Sequence, residues 1–417
     1  MKNADFYNGN IAFIKTDNVR HGYIDRNFND YLSELGNEQI SRTTLQPNDI
    51  ITTIIGATEK VVARSAIIQK DLLPCNINQN IVQIRVNDAI ISPYYVYFYL
   101  NSFYGKNYLY YYSRQTEQIN LNCNEVSYVR IPRFSNKFQS LLDDIFVKSQ
   151  LSVQNAEKGY KSAEELLNIE LHINGIQNSK NYSIKSYLNS FCKTKRLDAE
   201  YYQDKYDKLF PLIKNPEKLS NIVKIAKSIE PGSDEYRQDG IPFIRVSDLS
   251  KFGISETEIY LDKAKYKSAI KPKKDSILFS KDGSIGIAYK VEEDIDAVTS
   301  SALLHLTVKT TDILPDYLAL TLNSNVVQLQ AERDSGGSII EHWRLGDIKE
   351  LVIPVLDIKI QTKIAQKVQE SFRLRNRAND LLKKGIQSVE IAIEKNEEYA
   401  SQWLIENTNE IYHKDKY

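Results

Sequence analysis

The 417-residue chain is poor in cysteine (three), methionine (one) and tryptophan (two). Cys75, Cys123 and Cys192 are odd in number and far apart, which fits neither a disulfide framework nor zinc-ligand spacing. A reducing cytoplasm is therefore the expected compartment. No run of about 18 apolar residues occurs, so no membrane span is expected. Met1 to Ile14 has no basic start, apolar stretch and small-residue cleavage site, so export is not expected. Charge of either sign is not in excess, with Lys plus Arg and Asp plus Glu at 54 each. Nothing in the composition creates a global field for a polyanion, and any basic surface must be local.

Catalytic signatures are also missing. Gly283-Ser284-Ile285-Gly286 lacks the G-x-G-x-x-G and G-x-x-x-x-G-K patterns and reads as a tight β-turn. Ser92-Pro93-Tyr94-Tyr95 is faintly similar to the motif with which amino-methyltransferases grip a base, but it lacks the second proline and a cofactor loop. Ser92 suits a helix cap and Pro93 the first helical position. His21, His172, His305, His342 and His413 show no metal-ligand spacing, and no serine or cysteine sits in a nucleophile turn. The chain is expected to be non-catalytic and to hold no metal.

What is present is an internal repeat. The length suits two domains, and hydrophobic (42%) and charged (26%) fractions are those of a globular chain. Phe13-Ile14-Lys15-Thr16-Asp17-Asn18-Val19 recurs as Phe243-Ile244-Arg245-Val246-Ser247-Asp248-Leu249, each shortly after a glycine, Gly9 or Gly240. Pro47-Asn48-Asp49-Ile50-Ile51 leading to Gly56 parallels Pro272 to Leu278 leading to Gly283, a turn feeding a short β-rich run. Leu100-Asn101-Ser102 matches Leu322-Asn323-Ser324, and Val129-Arg130-Ile131-Pro132 matches Leu351-Val352-Ile353-Pro354, at a constant offset of 222.

Each copy runs into a long helical pattern, about 137–171 and about 358–395, behind Pro132 and Pro354. The first shows Leu142, Phe146, Ser149, Val153, Ala156, Tyr160, Ala163 and Leu167 at alternating steps of four and three. The second gives Ile364, Val368, Ser371, Arg375, Ala378, Leu382, Gly385 and Val389, with Arg375 intruding and Leu374 as its substitute. Ser149, Ala156 and Ala163, with Ser371, Ala378 and Gly385, would let two antiparallel axes approach while Phe146, Tyr160 and Leu382 fill the flanks. The alternative is that each helix packs only on its own domain. Helices of this length would be about 50 Å long and would serve as a spacer.

The order of elements and three local patterns resemble the specificity subunits of type I restriction–modification enzymes. Gly240 to Leu249 has the Gly-Ile-Pro-aromatic-Ile-Arg strand followed by Asp-Leu. Lys271 to Gly286 has the Pro-x-x-Asp strand with its Gly-Ser-Ile-Gly loop. Ile353 to Gln361 has the Ile-Pro-x-Leu lead into a helix with an early glutamine. Residues 196–396 match closely. The first half departs, with Gly56-Ala57-Thr58-Glu59-Lys60 in the loop and Arg133-Phe134-Ser135 after its Ile-Pro. Distinct half-site targets would require such divergence, and drift would also produce it.

The resemblance implies an α+β chain with two mixed α/β target-recognition domains in pseudo-two-fold repeat, separated by two long antiparallel coiled-coil helices. The expected segments are 1–135 (first recognition domain), 136–190 (first spacer helix and linker), 191–357 (second recognition domain) and 358–417 (second spacer helix and tail). The second domain begins near Arg196-Leu197-Asp198-Ala199-Glu200-Tyr201-Tyr202, about 45 residues before Gly240, whereas the first has no such opening segment. A truncation or late start would explain this, and so would a cyclic layout in which Glu410 to Tyr417, a weak echo of Glu200 to Tyr206, folds back.

DNA-contact candidates lie in loops beside the repeated strands. They are Lys15, Asn18, Arg20, His21, Lys60, Arg64, Arg114 and Gln115 in the first half. Their counterparts in the second are Arg245, Ser247, Lys281, Ser284, Arg333, Ser335, His342 and Arg344. The resemblance implies double-stranded DNA, two adenine-methylating modification subunits and restriction subunits as partners. S-adenosylmethionine, ATP and Mg would be held by those partners and no cofactor by this chain. A two-repeat scaffold that binds no DNA, or a recognition subunit of another methylation-linked assembly, stays open.

Overall fold

A computed structural model describes residues 4–20, 22–56, 61–115, 119–173, 183–335 and 342–414, without the side chains of residues 115 and 409–414. The main strands, in chain order, are β1 (Tyr7–Ile14), β2 (Ile50–Thr53), β3 (Ser65–Ile67), β4 (Cys75–Ile77), β5 (Ile81–Ile84), β6 (Val223–Lys227), β7 (Ile241–Ile244), β8 (Ile277–Ser280), β9 (Ala288–Lys290), β10 (Val298–Thr299) and β11 (Leu303–Val308). The main helices are α1 (Pro93–Asn101), α2 (Phe103–Tyr112), α3 (Asn136–Leu171), α4 (Pro315–Asn323), α5 (Asn325–Ser335), α6 (Ile358–Glu394) and α7 (Glu397–Lys414). The chain is thus a mixture of helices and short strands.

It divides into two compact units, Met1–Gln154 with Leu374–Tyr417, and Asn155–Arg373. Both divisions fall inside the long helices α3 and α6. In the first unit β1 runs parallel to β4, with Phe13 opposite Asn76, while β2 pairs antiparallel with β3 and β5. In the second unit β7 runs parallel to β10, with Phe243 opposite Val298, while β8 pairs antiparallel with β9 and β11. All four positions of β2 and of β8 are buried, as a strand covered on both faces requires.

The helix starts follow from their sequences. The Ser92 hydroxyl accepts from the Tyr94 and Tyr95 amides, and Pro93 takes the first helical position, where a missing N–H costs nothing. Ser135 accepts from the Phe138 amide at the start of α3, and Asp357 from the Lys359 amide at the start of α6.

Helix α1 is buried almost all round, with Tyr95, Tyr97, Phe98, Tyr99 and Leu100 inside. Its three buried tyrosines remain satisfied because the hydroxyl of each donates to a backbone carbonyl: Tyr95 to Pro132, Tyr97 to Gly22 and Tyr99 to Arg130. The Tyr95 bond recurs in the second unit as Tyr317 to Pro354.

Small residues line the contact between the long helices. Ser149, Ala156, Ala163, Ser371 and Ala378 are all fully buried or within 1% of it. In the first unit Ser149 bonds to the Ala378 carbonyl, and in the second Ser371 bonds to the Ala156 carbonyl.

The bulky positions turn elsewhere. Phe146 stacks on Tyr94 at 4.5 Å and meets Tyr97 and Phe98 edge-on. Tyr160 packs edge-on against Phe252 at 5.0 Å. Gly385 makes room for the Phe98 ring, which a Cβ at that position would overlap. Val368 and Leu382 join the hydrophobic clusters of the second and first units respectively.

The C-terminal segment belongs to the first unit. Ala400 and Leu404 of α7 are buried beside Val389 and Ala392, and Glu397 accepts from the Ser135 amide. Positions 410–414, which echo Glu200 onward, continue α7, whereas Ala199–Tyr202 is a single tight turn. The rest of the echo, 415–417, lies outside the described residues.

Candidate nucleic-acid interface

The loop after β1 in the first unit and the loop after β7 in the second are built the same way. Asn18 accepts from the Lys15 amide at 3.0 Å, and Asp248 accepts from the Arg245 amide at 2.8 Å. Each is the backward bond of a capping box, in which the side chain at the third helical position accepts from the N-cap amide, and this is why a short acceptor stands three residues after the basic one. It leaves Lys15 and Arg245 at the edge, roughly two-fifths exposed.

Carboxylates meet most of these cations. Lys15 pairs with Asp30, Arg20 approaches Asp25 at 3.9 Å, and Arg245 lies 3.8 Å from Asp248. Arg114 makes two bonds to Glu125, at 3.2 and 3.1 Å, and is largely exposed. Ser247 donates to Asp248.

Three second-unit candidates come together around Asp282. Lys281 pairs with it, His342 Nδ1 lies 2.9 Å from its Oδ1, and Ser284 sits exposed in the same loop. The backbone fixes this cluster: Asp282 bridges to His342, and the Trp343 amide donates to the Lys281 carbonyl. Gly283 (φ +72°) and Gly286 (φ +80°) take left-handed conformations that turn the chain between β8 and β9. Burial pushes the Asp282 carboxyl up, but hydrogen bonds from Lys281 and His342 outweigh it and hold the group below its ordinary range. Arg344 is exposed two residues beyond His342.

Other candidates are engaged in the fold. Asn18 is 7% exposed, and its amide donates to the Asp25 and Asn27 carbonyls. Arg64 and Ser335 are each 6% exposed. Arg333 pairs with Asp334 at 2.8 Å and lies 5.1 Å from the Tyr201 ring and 4.7 Å from Phe210. Gln115 occupies a short strand opposite Ile119; His21 and Lys60 lie outside the described residues.

Sequence reasoning missed the carboxylates. Asp282 could have been noticed beside Lys281, but Asp30 is fifteen residues from Lys15 and carries no local signal. Among the described residues no group of His, Cys, Asp and Glu is arranged to hold a metal ion, and no helix is long and apolar enough to cross a membrane. The three cysteines are free thiols.

Residues 214–390 match the family model described as the type I restriction modification DNA specificity domain. The type I restriction enzyme EcoBI specificity subunit of Escherichia coli is 28% identical over 181 residues, 40% of this chain. The chain spans only 37% of that relative's length. Among solved structures, the type I restriction–modification S subunit of M. genitalium has a TM-score of 0.33 at 15% identity, covering 97% of this chain and 91% of that one. The HsdS subunit of Thermoanaerobacter tengcongensis has 0.30 at 15%, covering 93% and 90%.

Proposed function

We propose that the chain, whose residues 214–390 match the type I restriction modification DNA specificity domain, is a specificity subunit of that family and reads a bipartite DNA target, one half with each unit. The observation that carries this reading is the recurrence of one loop: a basic residue, Lys15 or Arg245, held by an acceptor three residues on, at the end of a strand paired in parallel. Basic side chains at such edges bind phosphates or guanine, and differing neighbours give differing half-sites.

In this reading the two domains form a pseudo-two-fold repeat, and α3 and α6 form an antiparallel coiled-coil spacer that fixes the number of unread base pairs. The chain has no catalytic centre of its own. It docks two modification subunits that methylate adenine with S-adenosylmethionine, and restriction subunits that use ATP and Mg, in the cytoplasm. The ion pairs at Lys15 and Lys281 favour a second reading, a scaffold whose cations are already satisfied and which binds no DNA.

Two measurements separate these. As a DNA reader, the chain with its modification partner binds duplex with an affinity that falls steeply with salt; a scaffold does not. Exchanging residues 1–135 for the matching part of another such subunit changes one half of the methylated sequence. A change in both halves, or in neither, overturns the two-unit assignment.

A further inference from the structure

Gln139, in the first turn of α3, is 4% exposed, and its amide faces two ways. Its Oε1 accepts from the Ser92 amide at 2.8 Å, and its Nε2 donates to the Phe134 carbonyl at 2.9 Å. In the second unit Gln361, fully buried at the start of α6, accepts from the Leu314 amide at 3.0 Å and donates to the Leu356 and Asp312 carbonyls, each at 2.8 Å. Residues 92, 134 and 139 correspond to 314, 356 and 361 at the repeat offset of 222.

Both glutamines therefore do one job in two different cores. Ser92 and Leu314 precede α1 and α4, where a backbone N–H has no partner within its helix. Phe134 and Leu356 lie on the segment leading into the long helix. A planar amide alone offers an acceptor and a donor at the reach required. Glutamate cannot donate, methionine can do neither, and asparagine is one carbon short.

A second polar tie lies near each clamp. Ser92 bonds to Asp143 of α3 in the first unit, and in the second Gln369 of α6 donates to Asp316 of α4 at 2.9 Å. Asp316 in turn pairs with buried Lys290 at 3.1 Å. Apolar contacts between α1 and α3, such as the Phe146 rings, hold distance but not direction, whereas these bonds fix an angle.

We infer that Gln139 and Gln361 are positioning residues that set the orientation of each recognition domain on its long helix, and through it the interval between half-sites that the chain accepts. The inference rests on the bipartite reading proposed above. A rotation of about 10° at a lever of about 20 Å, the scale of a small domain, moves a reading loop by about 3.5 Å, one base-pair step of about 3.4 Å. A modest loosening at the clamp thus covers the rise of one base pair, and the roughly 35° of twist that comes with it is taken up by deformation of the unread duplex.

The test uses the full chain with its modification partner, on duplexes carrying the two half-sites identified from methylated adenines in cells expressing both. The interval is native, one base pair shorter or one longer. The unmodified chain loses about tenfold or more in methylation rate on the altered intervals, as misplacement of this size does. Gln139→Met and Gln361→Met narrow that loss to about threefold or less, with unchanged half-site sequences. Equal loss at all three intervals, or selectivity like that of the unmodified chain, overturns the inference. If Gln361→Met does not fold, Gln369→Ala, a substitution at an exposed position, loosens the same junction and is judged by the same criterion. If the unmodified chain shows no dependence on interval, the bipartite reading itself has failed.

Discussion

Ser149 donates its hydroxyl to the backbone carbonyl of Ala378 at 3.0 Å, a bond from one long helix to the other. Such a bond needs a side chain no larger than serine on one helix and a small residue on the facing one. Ser149→Ala removes the bond and costs about 1 kcal/mol, and Ser371→Ala, which removes the matching bond to Ala156, costs a similar amount. Ser149→Leu also forces the axes apart and adds about 1–3 kcal/mol. Urea melts of the three variants check the order; equal stability of Ser149→Leu and Ser149→Ala would sink the close-approach account.

Two glycines on the long helices make opposite predictions. A Cβ on Gly385 would overlap Phe98, which is fully buried, so Gly385→Ala overpacks the first unit by about 1–3 kcal/mol. A Cβ on Gly159 would meet the Lys367 carbonyl and Ser371 Cβ at 3.9 Å, an ordinary contact. Gly159→Ala therefore keeps the packing, gains helix propensity and stabilises the second unit by about 0.5–1 kcal/mol. Differential scanning calorimetry reads both shifts, which should have opposite signs.

These positions show what the sequence could disclose. The small-residue row at Ser149, Ala156, Ser371 and Ala378 is legible because helix periodicity assigns a face without knowledge of tertiary structure. What that face meets is not legible. Phe146 and Tyr160 stand in the same helical pattern yet pack on Tyr94 and Phe252, because a ring too large for the small-residue contact turns to the core of its own unit. The candidate DNA contacts were harder to read. Residue type alone cannot tell Arg344, at the surface, from Arg333, held between two rings, since the rings arrive from residues 201 and 210.

That contrast is measurable. Arg333→Ala removes the contacts to Tyr201 and Phe210 and the pair with Asp334, and lowers the stability of the second unit by about 1–3 kcal/mol. Arg344→Ala leaves the melting temperature unchanged, weakens DNA binding at every sequence, and reduces the slope of log affinity against log salt by about one. If Arg344→Ala leaves that slope unchanged, the loop around Asp282 is not at the phosphate backbone.

His305 on β11 supplies a pH test. It is 3% exposed, with Nε2 2.8 Å from the Thr299 hydroxyl, and burial pushes its pKa down to about 4. In the unfolded chain the imidazole titrates near 6.5, so between about pH 6.5 and 4 the unfolded state takes up a proton that the native state refuses. The depressed native pKa means stability is intact above 6.5 and declines as the pH falls toward 4, by roughly 3 kcal/mol across the window. Melting of the second unit at pH 7.5, 6 and 5 should show this decline, and His305→Gln, which keeps a polar partner for Thr299 but cannot titrate, should flatten it. The same pH dependence in both proteins would mean that another group carries the acid sensitivity.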